Sequence, residues 1–599
     1  MFKRFSNLFL LIFIFFIPYK VLQAEDIKYY GGVETDYVFD EEGKVSVRNK
    51  ITLINKTTEK YYPSYKINIE NFTPDDIKVY DDKNSFKYSI DHLDNVNTLN
   101  IYFPDKVLGK GKERTFYVEY NVQNLAKRSG EVWEIGLPQL FDKSVEFKKE
   151  AILKIPDSFG EEAYIYPNVT ESENAGGFHK YYFKNNFEGE RIVAVFGKFQ
   201  IYSFTLNYDL KNESSLRTKK TIAIPPDTSY QRMSYEKIDP IPENVITDAD
   251  GNWLAEYSLN ANEEVKIEVI GKVQVFSNPR TLLTPKTENL ANNLRNDAYW
   301  EVDNENIKAV ANNLKNPREI YDFVLRQLEY KNNSNNIPIR QGAVNALNKN
   351  LTDVKCTEFT DLFITLARAN GIPSRELNGF ASSDNSESKP LSLVNDLLHS
   401  WPEYWDEGKG YWVQIDPTWA DTSGQNYFDN FDLKHITFVV HGENSKLPLS
   451  AGLYKQMESN AKDVFVNYGQ PDNFSLENIN LHLNNKIPNL ERNINFTLSN
   501  DGKNALYDLE VKIFQDNIFK KNEILGDLPP YAKSTLSTKI PFTAFATESP
   551  ETITVFINNK IFSYYDFKIY EILLQIIIVL LVIMVGVFSF LKFRHIKNL

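Results

Sequence analysis

Cys356 is the side chain in this sequence best suited to nucleophilic chemistry, and it is the only cysteine. One thiol cannot form a disulfide within its own chain, so it is an inert buried group, an intermolecular bridge or a nucleophile. Apolar residues recur at intervals of three and four over residues 359–366, and the Asn-Gly-Ile-Pro sequence at 370–373 is typical of a helix end. The thiol is therefore predicted at or near a helix N-terminus, where unpaired amides and the helix dipole favour a thiolate.

His399 is the histidine whose setting suits a general base. The sequence HSWPEYW is followed by DEGKG and YWVQIDPTW, which predicts two strands joined as a β-hairpin. A four-residue loop at 407–410 would pair Asp406 with Tyr411, and counting back makes His399 and Asp416 diagonal neighbours on one face, roughly 7–8 Å apart at Cα. A carboxylate at that position would fix the imidazole tautomer and stabilise its cationic form.

Other residues near these three have more than one interpretation. An oxyanion hole would use the Cys356 backbone N–H and one upstream donor, and Gln341 and Asn350 are candidates, although both also fit solvated loop positions. His435 and His441 lie in a later strand-like segment and are interpreted as structural or exposed histidines. Three tryptophans either line a substrate cleft or fill the core beside it: Trp401, Trp412 and Trp419.

Neither a metal site nor a cofactor is predicted. With one cysteine and scattered histidines, the spacing of a zinc site cannot be built. The string DADGN at 248–252 resembles the beginning of a calcium loop, but Tyr257 stands where the glutamate that closes such a loop should be. This segment is therefore predicted to be a turn.

The elements around these residues are mainly of β type. Short runs rich in Val, Ile, Tyr and Phe alternate with turn signals from about 29 to 202, which predicts a β-sandwich, and a second β-rich stretch follows from 204 to 276. Helical periodicity begins at about 280 and continues to the cysteine. Strand-like runs then return, and residues 473–566 have the size and pattern of an immunoglobulin-like sandwich.

Both ends of the sequence predict contact with a membrane. Residues 1–24 have a basic start, an apolar run and a small final residue, typical of a signal peptide cleaved near Ala24, with an uncleaved anchor as the alternative. Residues 572–591 are apolar enough to span a bilayer, and the positive-inside rule places the basic tail at 592–599 in the cytoplasm. We therefore predict a single-pass cell-membrane protein with residues 25–568 outside.

Charge and composition limit the partners. The net charge is −13 and the sequence contains no run of Lys and Arg, which argues against nucleic acid as a partner. Hydrophobic residues make up 42% of the chain, enough for folded domains with packed cores. At 599 residues, several such domains are expected.

The sequence CTEFTDLFITLARANGIPSRELNGF, followed by HSWPEYW and WVQIDPTW, resembles the transglutaminase-like (transglutaminase/protease) superfamily over about residues 290–445. The resemblance implies a papain-like α+β fold in which the cysteine begins a helix and the histidine and aspartate come from adjacent strands. It implies Cys356 as nucleophile, His399 as base and Asp416 as the residue that orients the base. The Val-Lys pair at 354–355 departs from the Gly-Asp that usually precedes the cysteine.

The implied activity is acyl transfer through a cysteine thioester, with a protein, peptide or cell-wall peptide as substrate. Hydrolysis and transfer to an amine both remain open. The alternative is a non-catalytic peptide- or cell-wall-binding module that retains the fold.

The predicted fold class is multidomain, with β-sandwiches on both sides of an α+β domain and one transmembrane helix. The predicted divisions are a signal peptide (1–24), a β-sandwich (25–203), a second β-rich domain (204–279), a transglutaminase-like domain (280–472), an immunoglobulin-like sandwich (473–568), a transmembrane helix (572–591) and a cytoplasmic tail (592–599).

Overall fold

The structure is a computed structural model of the chain. It describes residues 29–58, 63–70, 72–93, 96–106, 109–123, 125–137, 147–184, 192–280, 287–332, 340–348, 351, 353–383, 398–454, 462–470, 479–484, 493–540, 550–558, 560–565 and 567–597. The predicted signal peptide and Asn350 lie outside the described residues. Contacts divide the chain into two compact units: residues 1–127, 135–158 and 167–193 form the first, and residues 128–134, 159–166 and 194–599 form the second.

The elements follow one another in an order that is β-rich, then helical, then β-rich again. The strands before the helices are β1(Tyr29–Phe39), β2(Val45–Asn55), β3(Ser64–Glu70), β4(Asp75–Tyr80), β5(Lys87–Leu93), β6(Val96–Tyr102), β7(Glu113–Val122), β8(Ala126–Ser129), β9(Val132–Gly136), β10(Phe147–Pro156), β11(Glu162–Tyr166), β12(Glu171–Ala175), β13(Phe178–Phe183), β14(Val193–Phe196), β15(Phe199–Lys211), β16(Thr218–Ile224), β17(Gln231–Asp239), β18(Asn244–Thr247), β19(Trp253–Leu259) and β20(Glu264–Phe276). The remaining elements are α1(Thr287–Asn292), α2(Glu305–Ala311), α3(Pro317–Gln327), α4(Ala343–Leu347), α5(Cys356–Ala369), β21(Ser374–Ala381), β22(Leu398–Asp406), β23(Tyr411–Gln414), α6(Pro417–Ser423), β24(His435–His441), β25(Val464–Tyr468), β26(Ile479–Leu483), β27(Asn493–Asn500), β28(Leu509–Gln515), β29(Ile518–Leu525), β30(Lys533–Lys539), β31(Thr552–Ile557), β32(Lys560–Tyr565) and α7(Phe567–Lys597).

The first unit is built on a sheet with the order β12-β13-β10-β1-β2-β7-β4. In this sheet β1 pairs antiparallel with β2 and parallel with β10. Along β2, buried residues alternate with more exposed ones, so one face of the sheet packs on a core while the other faces solvent. A smaller sheet, β3-β6-β5, contributes Tyr65, whose ring packs edge-on against Phe116 at 5.8 Å between centroids.

In the second unit, the region from 199 to 276 forms two sheets with the orders β17-β20-β15-β25 and β16-β19-β18. The strand β25 belongs to the first of these, because its residues pair with β15 from Tyr202 to Leu206. This segment was expected in the domain at 280–472, and its pairing with β15 joins it to the preceding sheet instead. The segment at 248–252 is a turn as predicted, because the Asp248 carboxylate accepts the backbone N–H groups of Asp250 and Asn252 at 3.0 and 2.8 Å.

The helices pack on a sheet with the order β23-β22-β21-β24. The central helix α5 is buried along almost its whole length and packs against β22 and β21. It ends as predicted, since Gly371 follows it with a φ of 76°, a conformation that glycine adopts without strain. The helix α3 follows Asn316, whose side chain accepts the N–H of Glu319 at 2.9 Å. The helical periodicity expected from about 280 first forms only a short helix, since α1 ends at Asn292.

The C-terminal part consists of two sheets, β26-β27-β30 and β29-β28-β31-β32, followed by α7. Along β28 and β31, which are neighbours in the second sheet, buried residues alternate with half-buried ones, so one face of that sheet packs on a core. Within the described residues, α7 contains one stretch, Gln575–Arg594, that is long and apolar enough to cross a membrane. None of its apolar part is buried inside the protein. The chain is thus a mostly β-sheet, multidomain protein with a central helical region and a C-terminal apolar helix.

Candidate active site

Cys356 is the first residue of α5, as the sequence predicts, and it is buried with 4% of its surface exposed. The chain before it is fixed by Val354, which exchanges two backbone hydrogen bonds of 2.9 Å with Lys331. Glu358, in the first turn of α5, accepts the backbone N–H of Lys355 at 2.9 Å, which is one half of a capping box. The cysteine therefore stands at a well-defined helix N-terminus.

His399 lies in β22, opposite Gly379 of β21, and is fully buried. A side chain at Gly379 would not fit, because its Cβ would stand 2.0 Å from the Ile436 carbonyl oxygen of β24. The glycine therefore lets three strands approach closely at the histidine. The Thr360 hydroxyl of α5 donates to the Ser400 carbonyl at 3.2 Å, which ties the cysteine helix to the histidine strand.

The two ring nitrogens of His399 differ in their hydrogen bonding. Nε2 donates to Oδ2 of Asp416 at 2.9 Å, because a carboxylate can only accept. Among the described residues, Nδ1 has no hydrogen-bond partner of ordinary geometry, and Cys356 is the neighbour whose interaction with the ring favours its protonated form.

Electrostatics make His399 and Asp416 an ion pair. Burial lowers the pKa of His399, but the charge of Asp416, its hydrogen bond and the interaction with Cys356 outweigh burial and raise that pKa to about 9. Burial raises the pKa of Asp416, but His399 and His435 outweigh it and lower that pKa to about 2. At neutral pH the pair is therefore an imidazolium facing a carboxylate.

Asp416 reaches His399 from the start of a helix. The predicted hairpin is present, with Asp406 opposite Tyr411, but its ladder ends at the pair Glu403–Gln414. Asp416 is then the N-cap of α6, and its Oδ1 accepts the N–H groups of residues 418 and 419 at 2.9 and 3.0 Å. The expectation that the histidine and aspartate come from adjacent strands is therefore wrong for the aspartate. The reason is local: Asp-Pro is a strong signal for a helix start and takes the chain out of the sheet.

Aromatic rings enclose the imidazole of His399. It stacks on Trp401 with 5.8 Å and on Trp419 with 5.0 Å between ring centroids. Both indoles are fully buried, and Nε1 of Trp401 donates to the Gln414 side chain at 3.3 Å. Of the two interpretations offered for these tryptophans, the structure gives the core position. Trp412 lies apart, where the Arg375 guanidinium stacks on its ring at 4.1 Å.

His435, interpreted from the sequence as a structural or exposed residue, is buried in the site. Its Nε2 lies 3.3 Å from Oδ2 of Asp416, and its Nδ1 lies 2.7 Å from Oδ1 of Asp432. The imidazole also packs on Phe431 and on the two indoles. The signal in the sequence was the Asp-x-x-His spacing of residues 432–435, which places a carboxylate next to a histidine at the start of a strand.

Three of these side chains form a set that could hold a metal ion. The donor atoms of His399, Asp416 and His435 lie within 4.8 Å of one another. The expectation that the histidines are too scattered to form a ligand set is therefore wrong. The same atoms are engaged in hydrogen bonds with each other, and each donor faces a buried interior.

The remaining predicted residues lie around this centre. The Gln341 backbone N–H donates to Oε1 of Glu358 at 3.4 Å, which brings residue 341 to the first turn of α5. Next to it, the Arg340 guanidinium donates to Asp361 and, at 2.9 Å, to Glu376. His441 also contacts Glu376, with its Nδ1 at 3.0 Å from Oε2. Arg340, Asp361, Glu376 and His441 thus form a buried charge network.

Residues 302–417 match the sequence model of the Transglutaminase-like superfamily. Over 106 residues the chain is also 26% identical to uncharacterized proteins of Mycobacterium bovis and Mycobacterium tuberculosis. That match covers 16% of this chain and 34% of each relative, so the chain spans about a third of the length of the curated relatives it matches.

Solved structures give a looser likeness. A candidate cysteine protease from Cytophaga hutchinsonii is 14% identical, with a TM-score of 0.28, over 45% of this chain and 88% of that one. The periplasmic domain of TgpA from Pseudomonas aeruginosa is 12% identical, with a TM-score of 0.23, over 38% of this chain and 91% of that one. An M1 zinc metallopeptidase from Deinococcus radiodurans reaches 7% identity and a TM-score of 0.21 over 29% of this chain and 43% of that one.

Proposed function

Residues 302–417 form a transglutaminase-like domain, and from this premise we propose that the protein is a thiol acyl-transfer enzyme with Cys356 as nucleophile, His399 as acid and base, and Asp416 as the orienting carboxylate. The observation that carries the proposal is the placement of His399, whose Nε2 donates to Asp416 at 2.9 Å. Cys356, at the start of α5, is among the groups whose interaction with the ring raises the pKa of His399. A nucleophile, a base and an orienting group in this order are what acyl transfer requires.

The reaction proceeds in two balanced steps. The thiolate of Cys356 attacks the carbonyl carbon of a carboxamide or peptide, and the C–N bond breaks as His399 gives its proton to the leaving amine. A thioester remains. Water or a second amine then attacks the thioester carbon, its proton passes to His399, and the C–S bond breaks to restore the thiolate.

Water as the second nucleophile makes the protein a protease or amidase, and an amine makes it a cross-linking transferase. We propose a protein, peptide or cell-wall peptide as the substrate. The helix start supports both activities in the same way, because its N–H groups stabilise negative charge at the thiolate and at the developing oxyanion.

The proposal includes the setting of the domain. We propose that α7 anchors the chain in the cell membrane, that the basic residues at 592–599 lie in the cytoplasm, and that the catalytic domain lies outside. The apolar stretch Gln575–Arg594 supports this arrangement. We also propose that the paired sheets on either side of the domain are β-sandwiches, the C-terminal one immunoglobulin-like. The C-terminal assignment is supported by the alternation of buried and half-buried residues along β28 and β31.

An electrophilic thiol probe tests the nucleophile. Iodoacetamide should label Cys356 at neutral pH much faster than a free cysteine, and the His399→Ala variant should lose this excess rate because it lacks the ion pair. Amine incorporation and amide hydrolysis, measured on the same samples, identify the second nucleophile. Labelling that is slow in the wild type and unchanged in His399→Ala would contradict the proposal and favour a binding module.

A further inference from the structure

His435 is held between two carboxylates. Its Nε2 lies 3.3 Å from Oδ2 of Asp416 and its Nδ1 lies 2.7 Å from Oδ1 of Asp432. An ionised carboxylate only accepts hydrogen bonds, whereas a neutral imidazole has one N–H and one bare nitrogen. Both contacts are therefore satisfied only if both nitrogens carry a proton, which makes His435 an imidazolium.

We propose that His435 is a cationic positioning residue, which holds the Asp416 carboxylate in the orientation that His399 needs. This inference rests on the proposed function, because it assigns a role within the same site. Asp416 has two oxygens with separate tasks: Oδ1 caps α6, and Oδ2 accepts from both histidines. With Oδ1 fixed by the helix and Oδ2 fixed by His435, the carboxylate cannot rotate away from His399.

His435 is itself fixed from the other side. Asp432 accepts the Tyr427 hydroxyl at 3.0 Å and the Lys434 backbone N–H at 2.9 Å, so its carboxylate is oriented before it meets the imidazole. The His435 ring packs on Trp419 at 4.5 Å between centroids and is fully buried. The result is a chain of contacts that runs from Cys356 through His399, Asp416 and His435 to Asp432, four steps in which each group orients the next.

The charges in this chain alternate in sign. Among the described residues, the charged and titratable groups that face His435 are Asp416, Asp432, His399 and Tyr427. The neighbouring Lys434 side chain is paired with Glu134. Burial lowers the pKa of His435, but Asp432 and Asp416 outweigh it and raise that pKa. The His435 cation interacts with the same carboxylate as His399. It therefore weakens the stabilisation that Asp416 gives to protonated His399.

The replacement His435→Gln tests this role, since glutamine fills the site but cannot be a cation. We expect kcat to fall by roughly tenfold or more, part of the roughly 10²- to 10⁴-fold that a placed base contributes, with KM little changed. In the pH profile of Cys356 alkylation, the alkaline limb is the part over which His399 loses its proton. We expect this limb to move to higher pH, because His399 binds its proton more tightly once the neighbouring cation is gone. A residue with a merely structural role would not move this limb.

His441→Gln is the matched control. His441 ends the strand that His435 begins, is also buried, and also contacts a carboxylate, Glu376, but it has no contact with Asp416. The control variant should lower thermal stability and leave the alkylation profile in place. A second variant, Asp432→Asn, removes one of the two charges that keep His435 protonated and should move the limb in the same direction by a smaller amount. If His435→Gln does not fold, the alkylation profile of Asp432→Asn tests the role of His435 in its place.

The measurements use the full chain in detergent or nanodiscs, with iodoacetamide as the probe. A wild type that labels no faster than a free cysteine, with no effect of His399→Ala, counts against the proposed function. A wild type with rapid, His399-dependent labelling, combined with the same alkaline limb in His435→Gln, Asp432→Asn and the control, overturns the role of His435 alone.

Discussion

The buried side-chain amide of Asn252 pairs with both backbone groups of Val440. Its Nδ2 donates to the Val440 carbonyl at 2.8 Å and its Oδ1 accepts the Val440 N–H at 2.7 Å. Gln231 pairs in the same way with Thr437, at 2.7 and 2.9 Å. Since β24 is the edge of its sheet, these two amides occupy hydrogen-bonding groups that an edge strand would otherwise leave open. They hold the strand that begins with His435.

Removing one of these amides should loosen β24. Asn252→Ala leaves a buried N–H and a buried carbonyl of Val440 without partners, and we expect roughly 2–4 kcal/mol less protection of the β24 amides in hydrogen exchange. Asn522→Ala is the control, because the Asn522 side chain is exposed and bonds only to Glu510 at 3.2 Å among the described residues. Equal protection in both variants would mean that the amide does not hold the strand.

A buried and an exposed arginine should differ greatly in their effect on stability. Arg340 donates to Asp361 and to Glu376, both fully buried, so Arg340→Met leaves two carboxylates without their cation and should cost about 3–5 kcal/mol. Arg318 pairs with Asp322 and Asp429 on the surface, and Arg318→Met should cost less than about 1 kcal/mol. Denaturant unfolding followed by tryptophan fluorescence compares the two. Similar losses of unfolding free energy in the two variants would mean that Arg340 is not needed to neutralise the two buried carboxylates.

Much of the site follows from local sequence. The periodicity after Cys356 and the Asn-Gly pair predict α5 with its bounds, because both signals act within a few turns. The glycine-rich loop predicts the hairpin that pairs Asp406 with Tyr411, since loop length sets the register.

Contacts between distant segments could not be predicted in this way. His435 enters the site because β24 pairs with β21, and nothing in the local pattern fixes which strand it joins. The same is true of β25, which pairs with β15 more than 250 residues earlier in the chain. The place of Asp416 was misjudged for a different reason: two local signals competed, and the helix start of Asp-Pro prevailed over continuation of the strand.

The two tasks of Asp416 can be separated by substitution. Asp416→Asn can keep the cap of α6 through its amide oxygen, but its NH₂ group then faces Nε2 of His399 and selects the tautomer with the proton on Nδ1, which cannot act as a base. We expect turnover to fall by roughly 10²- to 10⁴-fold. Stability should fall by the contribution of the His399–Asp416 ion pair alone, because the cap of α6 is kept. Asp416→Ala should lose the cap as well, which adds about 1 kcal/mol of destabilisation.

Turnover of the two Asp416 variants measures how much the carboxylate contributes by orienting His399. Their thermal unfolding measures how much the cap of α6 contributes to stability. If Asp416→Asn keeps most of its turnover, the carboxylate does not orient the base. If Asp416→Ala is as stable as Asp416→Asn, the cap contributes nothing.

The predicted topology can be tested on intact cells. With α7 in the membrane and residues 592–599 inside, external protease should release a large soluble fragment that still contains Cys356. An epitope tag after residue 599 should stay protected until the membrane is permeabilised. Protection of the catalytic domain together with digestion of the tag would show the inverted orientation.

The ion pair of His399 and Asp416 should contribute to stability only within a limited pH range. The pKa of His399 is raised from 6.5 to about 9, so its contribution is complete below pH 6.5 and is lost as the pH rises through 9. The pKa of Asp416 is lowered from 3.8 to about 2, so its contribution is complete above pH 3.8 and is lost as the pH falls through 2. The pair therefore stabilises most between about pH 4 and 6.5, by an amount on the order of 3 kcal/mol for the histidine shift.

Thermal unfolding of the wild type and His399→Gln across this range measures that contribution. The difference in Tm should be largest at pH 4 to 6.5 and should shrink towards pH 10, because the wild-type imidazole then loses the charge that glutamine never had. Gln414→Ala is the control: Gln414 is a buried neutral partner of Trp401, so the loss of Tm in that variant should not depend on pH. A His399→Gln difference that stays as constant as that of the control would mean that His399 is neutral in the folded protein, and the ion pair would be excluded.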